Sequence, residues 1–116
     1  MYSDDCIFCK IAQRKIPSDI IYEDDQVVAF KDIQPLAPVH LLVIPKNHLS
    51  SVNEVTSEYE GLIGHLFGVI RRLAQEFGVA ETGYRVVTNT GADGGQVVGH
   101  IHFHLLGGQA LEAKIG

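Results

Sequence analysis

Residues 39–45 read VHLLVIP, apolar at almost every position on both alternating sets. Successive strand side chains point to opposite faces, so a strand of this composition belongs in the middle of a sheet. The neighbouring segments predict its partners. DIIYEDDQVVAF reads as a hairpin with strands near 20–23 and 27–31 around an acidic turn. YRVVTN predicts a strand at 84–89, and HIHFHLLG a last strand at 100–107. Leu62, Leu66, Val69, Ile70, Leu73 and Phe77 keep helical period until Gly78. With Ser57 and Glu60 as a capping box, they predict a helix over 57–77. CIFCKIAQRK predicts a short helix that stops before Pro17. Hairpin, strand, helix and two further strands imply an α+β fold with a mostly antiparallel sheet.

The 116 residues, 46% of them apolar, suit one domain with a real core. The net charge is −5 and no run of Lys or Arg occurs, which argues against a nucleic-acid groove. The longest apolar run is too short to span a bilayer. MYSDDCIFCK has no basic segment followed by an apolar one, so no signal peptide is read and a cytoplasmic location is expected. Gly64 and Gly68 lie four apart on one face of the long helix, each costing about 1 kcal/mol against alanine. They are either tolerated weak positions or the place where another backbone comes close, as across a dimer interface.

The chemistry is concentrated in GHIHFHLLGG, residues 99–108. Strand alternation puts His100, His102 and His104 on one face and Ile101, Phe103 and Leu105 on the other. A solvated face, a metal site and covalent catalysis are all open readings of that alignment. A neutral imidazole is a good nucleophile near pH 7, and phosphorus is a suitable target. The preceding loop NTGADGGQVVG carries Gly91, Gly94, Gly95 and Gly99, which let backbone N–H groups approach an anion. A phosphate held there would lie beside the histidines, and this favours phosphate chemistry.

HIHFHLL fits the histidine triad (HIT) signature, in which three histidines alternate with apolar residues. AFKDIQPLAPVHLLVIPKNH, TNTGADGGQ and LLGG extend the match, and the chain resembles the Hint-like nucleotide-binding branch from Cys6 to about Gly108. The resemblance implies a single HIT domain over 1–116. Its five-stranded, mostly antiparallel sheet has one long and one short helix and is extended across a homodimer. It also implies hydrolysis of purine nucleoside 5′-phosphoramidates. His102 matches the nucleophile that forms a nucleotidyl-histidine, and His104 matches a residue that contacts phosphate and assists the leaving group. His100 matches part of the supporting network, and His40 a histidine that orients the triad. Asp32 matches a ribose-binding carboxylate, though on spacing alone a turn residue is an equal reading. Ile7, Phe8, Ile11, Phe30 and Ile33 match an apolar pocket for the base. Asn89, Gly95 and Gln96 match the phosphate side. No catalytic metal is required. Related activities are hydrolysis of dinucleoside polyphosphates, or nucleotide binding by a zinc-stabilised adaptor with weak catalysis.

Two positions depart from many relatives. Val97 stands where a serine hydroxyl is common, and no Trp follows LLGG. Both put the leaving-group preference in question.

Cys6-x-x-Cys9 can be a redox pair, a pair of buried thiols or half of a metal site. His48 in PKNH and His100 would complete a tetrahedral Cys2His2 set. Bacterial members of the family with these features resemble zinc binders, which implies a structural zinc with His102 outside its shell. His65 reads as a partly exposed helix residue away from every motif.

Overall fold

A computed structural model describes residues 2–113. The elements are α1 (Ile7–Ala12), β1 (Ile20–Glu23), β2 (Val27–Lys31), β3 (Val39–Pro45), α2 (Glu60–Glu76), β4 (Tyr84–Val87) and β5 (Phe103–Gly107). The five strands form one sheet in the order β1-β2-β3-β5-β4. Every pair is antiparallel. β3 is central and buried from His40 to Pro45, as its two apolar faces require.

Alternation divides the core into two layers. On one face Val27, Ala29, Leu41, Val43, Ile101, Phe103 and Leu105 meet Leu62, Leu66, Val69, Ile70 and Leu73 of α2. On the other, Val28, Phe30, Leu42 and Ile44 meet Phe8, Cys9, Ile11 and Ala12 of α1. The long helix therefore stabilises the sheet from behind, and the six-residue helix covers the face that carries the histidines.

α1 ends at Ala12, before Pro17 as the sequence predicts, and three other boundaries differ from the sequence reading. Ser57 does not cap α2; Ser57–Tyr59 is a 3₁₀ turn, and Tyr59 opens the helix with no side-chain cap. β4 ends at Val87, before Thr88 and Asn89. β5 starts at Phe103, so His100 and His102 precede the ladder. Pro45 explains the last difference. It has no N–H to donate, and the ring of His100 takes its carbonyl. The Ile101 N–H turns instead to the Leu49 carbonyl, at 2.7 Å.

Candidate functional site

His40 on β3, His104 on β5 and the segment leading into β5 assemble the histidines under α1. The rings of His102 and His104 are 5.1 Å apart, and those of His40 and His104 5.2 Å. Phe8 of α1 meets both His102 and His100 edge-on, with centroids 5.1 and 6.0 Å away. His100 is wholly buried, and His40 and His102 nearly so. Three buried imidazoles are costly unless each ring nitrogen has a partner, and the partners here decide the protonation pattern.

A carbonyl only accepts, so a ring nitrogen facing one carries the proton. His102 Nδ1–H donates to the His100 carbonyl at 2.8 Å, leaving Nε2 with a lone pair. His100 Nε2–H donates to the Pro45 carbonyl at 2.9 Å, leaving its Nδ1 with a lone pair. The Leu36 N–H donates to His40 Nδ1 at 3.1 Å. His40 Nε2–H must then donate to His104 Nδ1, 2.9 Å away, and His104 carries its proton on Nε2. The site thus pairs an imidazole with a free Nε2 lone pair and one with an Nε2–H.

Burial disfavours the charged forms of His104 and His40. Desolvation, then charge on His102 and His40, pushes His104 down to about 4, and the Asp32 carboxylate opposes this only in part. Burial also lowers His40, again against Asp32.

Asp32 serves two readings at once. One carboxylate oxygen accepts the Gln34 N–H at 2.8 Å, as a turn residue does. The other lies 3.5 Å from His40 Nε2. Gln96 holds the glycine loop: its Oε1 accepts the Gly91 N–H at 2.9 Å, and its Nε2 donates to the Ser50 and Val98 carbonyls. Its side chain is committed to the loop. Gly95 turns the loop with φ of +80°. Asn89 lies two residues beyond β4, half-buried.

Phe8 and Phe30 meet edge-on at 5.6 Å, and Ile11 packs in the same cluster. Ile7 and Ile33 are not drawn in: they are 50% and 91% exposed. Val97 is 92% exposed on the loop before the histidines.

Cys6, Cys9, His48 and His100 each offer a ligand atom within 4.8 Å of the others, close enough to hold a metal ion. His100 Nδ1 is 3.2 Å from Cys6 Sγ and 3.5 Å from Cys9 Sγ, and His48 Nδ1 is 3.3 Å from Cys9 Sγ. Tetrahedral zinc with nitrogen and sulfur ligands needs separations of about 3.5 Å. The Pro45 bond frees the His100 nitrogen that faces the thiols, which is the orientation a metal-binding histidine requires. Asp32, His40 and His104 also cluster within 4.8 Å. That set fails the same test, because the Leu36 N–H occupies His40 Nδ1 and forces a proton onto the nitrogen that would bind.

Sequence reading missed the Leu36 N–H and the Pro45 and His100 carbonyls. They are backbone groups, and residue type carries no signal for them.

A family model described as the HIT domain matches residues 13–111. The chain belongs to the HIT domain family. It is 50% identical over 109 residues to a purine nucleoside phosphoramidase of Escherichia coli, covering 94% of this chain and 92% of that one. It is 52% identical, also over 109 residues, to a HIT-like protein of Synechococcus elongatus, covering 94% and 95%. Among solved structures, a histidine triad protein from Clostridium difficile superposes with a TM-score of 0.95 at 46% identity, covering 99% and 100% of the two chains. A HIT family hydrolase from Legionella pneumophila gives 0.94 at 46%, covering 97% and 100%. The five-stranded antiparallel sheet with one long helix is the arrangement shared with these neighbours.

Proposed function

We propose that this chain is a single HIT domain that hydrolyses purine nucleoside 5′-phosphoramidates through a covalent nucleotide on His102. The observation that carries the reading is the Nδ1–H bond of His102 to the His100 carbonyl, which leaves Nε2 free to attack. The 50%-identical phosphoramidase from E. coli supports the substrate class.

In the first half-reaction His102 Nε2 forms a bond to the α-phosphorus and the phosphorus–nitrogen bond breaks. The amine must leave protonated. The Leu36–His40–His104 chain holds His104 as a neutral donor, so its Nε2–H stabilises charge on the phosphoryl oxygens and solvent supplies the amine's proton. In the second half, water attacks the phosphorus, the bond to Nε2 breaks, and the nucleoside monophosphate is released.

Asn89 and the Gly95–Gln96 loop approach the phosphate, and the free acceptor capacity of Asp32 serves the ribose. The base lies against Ile7, Phe8, Ile11, Phe30 and Ile33. The exposure of Ile7 and Ile33 supports this assignment, because an apolar base would cover them.

Cys6, Cys9, His48 and His100 hold one structural zinc, supported by the thiol–imidazole donor set and the tautomer of His100. Bound zinc supplies a clamp that ties α1 to the segment carrying His100. Gly64, Phe67 and Gly68 form an exposed small-and-apolar stretch of α2 that serves a homodimer face. Among the described residues no helix is long and apolar enough to cross a membrane, and we assign the chain to the cytoplasm.

Comparison of AMP release from adenosine 5′-phosphoramidate and from diadenosine polyphosphate tests the proposal. Preference for the phosphoramidate is expected. Preference for the dinucleotide would move the chain to polyphosphate hydrolysis, and AMP binding without turnover of either would make it an adaptor.

A further inference from the structure

Two thiols lie beside the support of the nucleophile, and the reaction uses neither. We propose that Cys6 and Cys9 are a peroxide-sensitive pair whose disulfide expels the metal and withdraws His100 from its role in positioning His102. This rests on the metal reading above.

The geometry runs through few atoms. Both sulfurs face His100 Nδ1, at 3.2 and 3.5 Å. The carbonyl of that same residue receives His102 Nδ1–H at 2.8 Å. The two cysteines are three residues apart on one helical turn, where the Cys9 N–H already donates to Cys6 Sγ at 3.3 Å. Their sulfurs lie within 4.8 Å of each other, so a side-chain rotation brings them to bonding distance. Access is unequal. Cys6 is buried to all but 9% of its surface but lines, with His48, Asp5 and Val97, an open cleft of about 440 Å³, whereas Cys9 has no exposed surface. Cys6 meets the oxidant and Cys9 resolves it.

The chemistry balances. Cys6 thiolate attacks hydrogen peroxide, becomes a sulfenic acid and releases hydroxide. The Cys9 thiol then displaces water from that sulfur, forming the disulfide. Two electrons leave the thiols and the peroxide is reduced. A disulfide is a far poorer ligand than two thiolates, so two of the four metal bonds are lost. His100 then loses its metal bond and keeps only its bond to Pro45 and its packing against Phe8 and His48, so the carbonyl that fixes the His102 tautomer is freer to move.

The test uses the reduced, zinc-loaded full chain. It is treated with one equivalent of hydrogen peroxide and followed by intact mass, by a chromophoric zinc chelator and by ¹⁵N shifts of the His102 ring. The expected result is loss of two hydrogens, release of one zinc per disulfide, and a His102 tautomer that becomes mixed. Thiol reductant with added zinc should restore all three. Cys9→Ser should give a sulfenate or higher oxide and no disulfide. Retained zinc, or over-oxidation of single thiols in the native chain, would overturn the proposal. So would a complete disulfide with an unchanged His102 tautomer. A reduced chain that binds no zinc would overturn the metal reading instead. Failure to turn over phosphoramidate would overturn the proposed function alone, because none of the three readouts depends on it.

Discussion

The His102 ring donates through Nδ1 to the backbone carbonyl of His100, two residues earlier, at 2.8 Å. Alternation brings the two side chains to one face, and the turn of the chain before β5 lets the backbone of one set the tautomer of the other. The same residue faces the Cys6 and Cys9 sulfurs, so His102 and the Cys6, Cys9 and His48 group share a single residue of support.

The donor chain from Leu36 through His40 to His104 makes His40 the residue that orients His104. His40→Phe fills the volume and removes both bonds. Phosphoramidate turnover should fall about 10²-fold with KM much less changed, since the lost donation matters most in the transition state. A KM effect alone would assign His40 to binding.

Neutral His104 has a consequence for stability. Burial and the neighbouring imidazoles push it down to about 4, below the ordinary imidazole value, and burial lowers His40 as well. Above about pH 6.5 both the folded and unfolded forms are neutral and the stability is fully present. As pH falls towards 4 the unfolded chain takes up protons that the native site refuses. Stability should decline by roughly 1–2 kcal/mol across that window and then level for these groups. Denaturant titrations at intervals between pH 7 and 4 measure this, and His104→Gln should flatten the slope.

Metal removal should cost stability without unfolding the sheet, because α2 and its core layer are independent of the thiols. Chelation, or Cys9→Ser, should lower the melting temperature by about 5–10 °C, equivalent to about 2 kcal/mol. Calorimetry with and without zinc checks it.

The β1–β2 turn is fixed by Asp24, which accepts the Gln26 and Val27 N–H groups, the Tyr22 hydroxyl and the ring of His65 on α2. These bonds outweigh burial and hold its carboxyl well below the usual range. Asp24→Ala should cost about 2 kcal/mol in urea titration and leave phosphoramidate turnover unchanged.

A Cβ at Gly94 would strike the Thr90 carbonyl oxygen inside the glycine loop. Gly94→Ala must displace backbone. It should raise KM for the nucleotide about tenfold while the melting temperature barely moves, since Gly94 itself is exposed and belongs to neither core layer.

The sheet was legible because β3 and the residues Ile101, Phe103 and Leu105 declare their faces by side-chain type. The grouping of Cys6, Cys9, His48 and His100 was legible for the same reason: they are scattered along the chain yet chemically matched. The true start of β5 was hidden. It depends on Pro45 lacking an N–H and on His100 taking the one carbonyl that remained. The commitment of the Gln96 side chain to Ser50 was hidden too, because it needs two segments to be brought together by the fold. The partner of His65 was hidden as well, because only the β1–β2 turn brings Asp24 to 2.6 Å from its ring.

The most direct measurement is AMP release from adenosine 5′-phosphoramidate by the native chain and by His102→Ala, with samples quenched early in alkaline denaturant, where a phosphorus–nitrogen bond to histidine survives, for mass analysis. The account predicts a nucleotide adduct on the native chain only and a loss in the variant of about 10³-fold or more. Equal rates in the two proteins, or turnover with no adduct and no dependence on His102, would contradict it.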